Sequence, residues 1–237
     1  MFLSLRDIES AEEDRRLLAR YGISLLPCPM QDVTYRPHDE LRLEDAGGIL
    51  LTSPKAALAL PPSDAIARPV FCVGRRTAAL AREKGYRDVW AGPDNAAALA
   101  EAMRERPVPN HMVWLRGDRV SFDFASALAG VCQIEAQIAY ELKAREHLPE
   151  AVLAALTAGH ITGVMGLSQA QVEIFDRLLD AAHPAKWRDD IPLFVISRRV
   201  AEAAHNWTNI VISRRKRPVS VCAAIACYHR QQRTASA

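Results

Sequence analysis

One stretch of this chain occurs twice. Phe71-Cys72-Val73-Gly74-Arg75-Arg76-Thr77-Ala78-Ala79-Leu80-Ala81 lies without a gap on Phe194-Val195-Ile196-Ser197-Arg198-Arg199-Val200-Ala201-Glu202-Ala203-Ala204. Each copy is a short apolar run, a small residue, two arginines and then an alanine-rich helical pattern, which reads as a buried strand turning into a helix. Upstream, Leu51-Thr52-Ser53 corresponds in the same way to Gly166-Leu167-Ser168. A chain that repeats its strand-to-helix joints is expected to fold as two similar α/β lobes.

The rest of the chain fits that frame. Strands are predicted at 2–5, 24–26, 49–51, 70–73, 89–91, 113–115 and 133–139, with helices at 9–21, 54–60, 76–84, 95–104 and 123–129. Alternation of this kind is the pattern of βα units around parallel sheets. The segment 31–45 is polar and irregular and reads as a crossover. After Lys143-Ala144-Arg145 the pattern restarts, with helices at 150–158, 169–182, 199–206 and 219–230 and strands at 161–167, 193–196 and 210–212. The second lobe has few strands of its own, so it is expected to recruit the N-terminal strands. The domains are therefore 1–30 with 145–237, and 31–144. The fold class is α/β: two Rossmann- or flavodoxin-like lobes with parallel sheets, one discontinuous, joined by a two-stranded hinge around a central cleft. The tail 231–237 is expected to fray.

Composition narrows the function. Of 237 residues 49% are hydrophobic and 24% charged, as in an ordinary globular protein. No apolar run approaches the roughly 20 residues of a membrane span, and the N-terminus turns acidic too early for a signal peptide; a cytoplasmic location is expected. The five cysteines are odd in number and form no C-x-x-C pair, which reads as buried reduced thiols. The seven histidines fall at no metal-ligand spacing, so no metal site is expected. A net charge of +2 and the lack of any nucleic-acid motif argue against a nucleic-acid partner. Positive charge is nonetheless clustered, at Arg75-Arg76, Arg198-Arg199 and Arg214-Arg215-Lys216-Arg217, each cluster directly after a predicted strand.

The run Ile49-Leu50-Leu51-Thr52-Ser53-Pro54 ends an apolar strand on two hydroxyls and a proline. Serine followed by proline starts a helix: the hydroxyl accepts orphan N–H groups, and proline lacks a donor that the helix would not use. A cap needs one hydroxyl, whereas Thr52 also stands at the carboxyl end of its strand, the edge where open α/β sheets bind ligands. Gly74 with Thr77, Arg116 with Gly117, and Ser168 occupy the same edge of their own strands. Helix N-termini and arginines at that edge suit a ligand rich in carboxylates. Neither G-x-G-x-x-G nor G-K-[ST] is present, so a nucleotide is not indicated.

These motifs together resemble the uroporphyrinogen-III synthase family. Its T-S-P strand end is similar to 49–56, its V-G-x-x-T-A segment to 73–78, its L-R-G strand end to Leu115-Arg116-Gly117, and its hinge tyrosine to Tyr140. The likeness covers nearly the whole chain. Departures stand beside it: Leu5-Arg6-Asp7 where the family has T-R-P, Ser197 and Val200 where the second lobe should carry glycine and threonine, and Gln169 in place of the second proline.

The resemblance implies a monomeric enzyme that cyclises hydroxymethylbilane, a linear tetrapyrrole with acetate and propionate groups on every ring. Water is lost and the last ring inverts through a spiro intermediate. No cofactor or metal is implied. Tyr140 is the candidate to assist departure of the hydroxyl, since a phenol keeps its proton at neutral pH and can donate it. Thr52, Ser53, Thr77 and Ser168 are candidates for carboxylate binding at helix N-termini, with helix capping as the competing role. Arg6, Arg116 and Gly117 complete the candidate set. Trp114 reads as core rather than as a pyrrole-stacking residue. The alternative function is a non-catalytic two-lobed module that binds a tetrapyrrole or another polyanionic small molecule.

Overall fold

A computed structural model describes residues 1–62, 68–182 and 186–235; His183 and the last two residues of the tail lie outside them. The chain divides into two compact units, Met1–Asp32 with Ala144–Ala237, and Val33–Lys143.

In the first unit, β1 (Phe2–Ser4), β2 (Leu25–Pro27), β9 (Gly163–Gly166), β10 (Leu193–Val195) and β11 (Ile210–Ile212) form one sheet in the order β11-β10-β9-β1-β2. Every pair in it is parallel. Taken in chain order within the unit this is 2-1-3-4-5, the flavodoxin-like winding, and it reverses between β1 and β9. Leu3 and Leu5 pack on one face with Phe175, Leu178 and Leu193, while Phe2 packs on the other with Leu18, Phe194 and Val221. That two-sided burial is what a parallel sheet requires. The covering helices are α1 (Ile8–Ala19), α6 (Glu150–Thr157), α7 (Gln169–Ala182), α8 (Lys186–Asp190), α9 (Arg198–Ala201) and α10 (Pro218–Ala235).

The second unit contains β4 (Gly48–Leu51), β5 (Val70–Cys72), β6 (Val89–Ala91), β7 (His111–Gly117), β3 (Gln31–Tyr35) and the long strand β8 (Gln133–Ala144). The sheet order is β3-β8-β7-β4-β5-β6, and it reverses between β4 and β7. Alternation again fills both faces: Ile49, Leu51, Val113 and Leu115 point to one core, and Leu50, Met112 and Trp114 to the other. Its helices are α2 (Pro54–Leu58), α3 (Gly74–Glu83), α4 (Ala96–Arg104) and α5 (Phe124–Ala127).

The two crossings between units are β3 and β8. Arg36 N–H donates to Ala139 O and Arg145 N–H donates to Met30 O, so the partners run in opposite senses and the pair is antiparallel. The polar segment at 31–45, expected to be irregular, thus opens with a strand, and β8 continues five residues past the predicted end at 139. Both strands keep only a few side chains inward, Val33 on β3 and Ala139, Tyr140 and Leu142 on β8, so the backbone ladder shares with these contacts the task of holding them. At the other terminus α10 is helical through Ala235, where fraying was expected from residue 231. Cys132 is half-buried and Cys227 exposed, against the expectation that all five thiols are buried. Among the described residues no helix is long and apolar enough to cross a membrane.

Candidate active site

The hydroxyls expected at the sheet edges are indeed at helix starts. Ser53 is the N-cap of α2: Ala56 N–H donates to its Oγ over 3.1 Å, with Pro54 in the first turn. The same oxygen lies 3.0 Å from the Tyr140 hydroxyl. Thr52 Oγ1 accepts the indole N–H of Trp114 at 3.2 Å. Trp114 is itself core, 4% exposed and edge-on to Phe124 at 5.2 Å. One strand end therefore holds a cap, a phenol and an indole, all placed by the reversal between β4 and β7.

Tyr140 is fixed from several sides. The β7–β8 register slips between Arg116 and Gly117, so that Arg116 faces Ile138 but Gly117 faces Tyr140. A bulge of this kind re-aims a side chain. A Cβ on Gly117 would come within 2.9 Å of the Tyr140 ring; the ring occupies the space a side chain would need. Asp118 completes the clamp, its N–H donating to Tyr140 O at 3.1 Å and its Oδ1 accepting Leu142 N–H at 3.2 Å. Tyr35 lies at 6.3 Å, ring to ring. Asp118 was not among the candidate residues; its one sequence signal is its place directly after the L-R-G strand end.

Gly117→Ala is expected to destabilise the protein by about 1–3 kcal/mol, the usual cost of overpacking, because the added methyl meets the Tyr140 ring. Chemical denaturation of the variant measures it; a stability equal to wild type would contradict this placement.

The arginine Arg116 curls onto its own strand end, donating to Gly117 O at 2.9 Å and Asp118 O at 3.3 Å. Thr77 is buried, 2% exposed, within the first turn of α3. That helix begins at Gly74 with φ +73° and has no side-chain cap. A Cβ at Gly74 would meet Asp94 Oδ1 at 2.8 Å. Glycine is required there both by the backbone and by the neighbour.

The first unit handles the matching joints differently. Ser168 caps α7, accepting Gln171 N–H at 3.2 Å, while Gln171 Oε1 reaches back to accept Leu167 N–H at 2.9 Å. This is close to a reciprocal capping box. Ser197, in place of glycine, is extended at φ −162° and caps α9 through Val200 N–H. The change from glycine to serine thus replaces an uncapped, left-handed start with an ordinary capped one. Arg6 is 9% exposed, and its Nη1 meets Asp14 Oδ2 at 2.5 Å and Ser10 O at 3.3 Å. The positive charge at the end of β1 is met within the unit.

Burial pushes Cys28, Cys72 and Cys222 up to about 12, so these thiols stay protonated near neutrality. Among the described residues no group of three or more His, Cys, Asp or Glu could hold a metal ion.

Residues 12–222 match the family described as uroporphyrinogen-III synthase HemD. The chain belongs to this family. The fold agrees with two solved members at low sequence identity. The uroporphyrinogen-III synthetase of Helicobacter pylori superposes with a TM-score of 0.62 at 11% identity, covering 96% of this chain and 98% of that one. A mutant uroporphyrinogen III synthase of Thermus thermophilus gives 0.52 at 16% identity, covering 98% of this chain and 99% of the other. A comparison with curated proteins finds no match. In this member of the uroporphyrinogen-III synthase family, Ser53 and Gly117 both lie against Tyr140 within one unit.

Proposed function

We propose that the protein is a cyclising hydro-lyase that converts hydroxymethylbilane to uroporphyrinogen III. The observation that carries this reading is the Tyr140 hydroxyl, 3.0 Å from Ser53 Oγ at the carboxyl edge where the sheet order reverses, in a chain of this family. Ser53 Oγ already accepts a helix N–H, so when its own proton is donated to the phenol oxygen, the phenol proton is free for the substrate.

In the first step the hydroxymethyl C–O bond breaks as Tyr140 gives its proton to the leaving oxygen, and water departs. The electron pair of the adjacent pyrrole nitrogen supports the carbocation left behind. The substituted carbon of the last ring attacks it to form the spiro intermediate; cleavage and reclosure then join the ring in the inverted sense. The proton released at final closure restores the phenol, so the balance is loss of one water.

Most of the task is conformational. Closure without inversion needs no enzyme, so selectivity comes from holding a flexible chain in one attack geometry. Helix N-termini, hydroxyls and backbone N–H groups serve as fixed donors to carboxylates. In this reading Thr52 and the uncapped start of α3 beside Thr77 bind carboxylates in the second unit, Ser53 gives its one proton to Tyr140, and Ser168 binds a carboxylate in the first. Arg116 and Gly117 shape the strand end that seats Tyr140. Arg6 contributes by holding α1 to the end of β1 through Asp14.

The test adds purified protein to freshly generated hydroxymethylbilane and separates the oxidised uroporphyrin isomers. Isomer III in large excess over a protein-free control is expected. Isomer I alone, from folded protein, would favour the non-catalytic binding module.

A further inference from the structure

The first unit carries a cationic segment that the reading above does not use. Arg198 follows β10, and Arg214, Arg215, Lys216 and Arg217 follow β11. All of them are exposed, and no ion pair or hydrogen bond is made by any of their cationic side chains among the described residues. Buried Ser213 ties the two strand ends together: its N–H donates to Val195 O at 2.9 Å and its Oγ lies 3.3 Å from Ile196 O. The loop is held from within by Ser213 Oγ donating to Arg215 O at 2.8 Å and by Arg215 N–H donating to Ser220 Oγ at 3.3 Å. The backbone that carries the four loop charges is thus pinned, and among the described residues no carboxylate pairs with those side chains, an arrangement that favours an anion from outside.

Two further observations narrow the anion. The loop borders a cavity of about 420 Å³ whose lining combines Arg214 and Ser220 with Val211, Ile212, Ala224 and Tyr228. An apolar hollow with a guanidinium at its rim suits a flat ring that bears a carboxylate. The second observation is the difference between the two repeated joints. In the second unit, α3 begins uncapped at Gly74 with Thr77 in its first turn; in the first unit Ser197 occupies the α9 start and Val200 has no hydroxyl. The donors lost at one joint are matched by cations at the next strand end.

We propose that Arg198 and the Arg214, Arg215, Lys216, Arg217 loop form the carboxylate-recognition subsite of the first unit. It takes acetate and propionate arms of the substrate by charge, with a pyrrole face against the neighbouring hollow, where the second unit uses helix N–H groups and hydroxyls. The subsite rests on the synthase reading and names how one unit meets that substrate.

The test compares wild type with R214Q/R215Q/K216Q/R217Q in the full chain, measuring KM, kcat and isomer ratio for hydroxymethylbilane. KCl is varied so that the Debye length runs from about 30 Å to about 3 Å. Wild-type KM should rise with salt. The variant should show a KM about tenfold higher at low salt and a flattened salt dependence, with little change in kcat, since charge pairs of this kind bind ground and transition states alike. The charge-preserving variant R214K/R215K/K216R/R217K should keep the wild-type slope, which a purely structural loop would not require. R20Q/R230Q removes exposed cations elsewhere in the unit and should leave KM and slope unchanged. A quadruple variant with KM and salt dependence within about twofold of wild type overturns the subsite. A quadruple variant that keeps its KM but loses affinity for a labelled DNA duplex also overturns it, in favour of nucleic acid. Absence of isomer III from wild type itself would instead overturn the synthase reading, and the subsite with it.

Discussion

Tyr140→Phe is expected to fold normally and to lower kcat about 10²-fold or more, the range over which a positioned general acid contributes. The side chain loses one oxygen, and its ring keeps its contacts with Gly117 and Tyr35. The hydroxyl removed is the one 3.0 Å from Ser53, whose own cap to Ala56 N–H remains. KM should change little. Because inversion is governed by how the chain is held rather than by who donates the proton, the residual product should remain mainly isomer III. A variant with wild-type kcat would remove Tyr140 from the chemistry. A variant with normal rate but mostly isomer I would assign the tyrosine to substrate shape instead.

Asp14→Ala is expected to destabilise the protein by about 3–5 kcal/mol, the cost of leaving a buried ion without its partner. The side chains of Arg6 and Asp14 are 10% and 6% exposed and 2.5 Å apart, so the guanidinium left behind could reach water only by disrupting the packing of α1. Cys222 Sγ, which lies 3.7 Å from Asp14 Oδ1, would lose an acceptor as well. The double variant Arg6→Met with Asp14→Leu removes both charges and should recover most of that loss, since a buried pair replaced by apolar residues is often neutral. Chemical denaturation of wild type, the single and the double variant measures both terms. A single variant as stable as wild type would mean the pair is solvated. Activity retained by the double variant would show that Arg6 acts through the fold rather than on the substrate.

Much of the architecture was legible because buried parallel strands announce themselves. Ile49, Leu50 and Leu51 are apolar on both faces, and the repeated joints at 71–81 and 194–204 mark two sheets wound alike. The need for the second lobe to borrow strands followed from counting, and β1 does lie between β9 and β2. What was not legible lacks an apolar signature. On β3 and the end of β8 the signal is thin: Val33 and Leu142 are the apolar residues that reach the core between exposed Asp32, Glu141 and Lys143. α10 runs past Arg230 into Gln231, Gln232 and Arg233, polar residues that continue a helix already anchored by Val221, Cys222 and Ile225.

At the site, the Ser53 cap followed from Ser-Pro alone, but its contact with Tyr140 joins residues far apart in sequence and needed the sheet order. The burial of Arg6 depends on Asp14 two helical turns into α1, which the strand-end position of Arg6 did not disclose. The bulge at Gly117 was equally hidden: a glycine at a strand end does not disclose that its missing side chain makes room for the Tyr140 ring.

The measurement that tests the account most directly is the isomer ratio. Protein is added to hydroxymethylbilane as it forms, the products are oxidised, and uroporphyrins III and I are separated alongside a heat-denatured control. Isomer III in large excess with native protein, and isomer I with the control, is the predicted result. Isomer I from both, with the native sample shown to be folded, would contradict the assignment of ring-inverting closure to this chain.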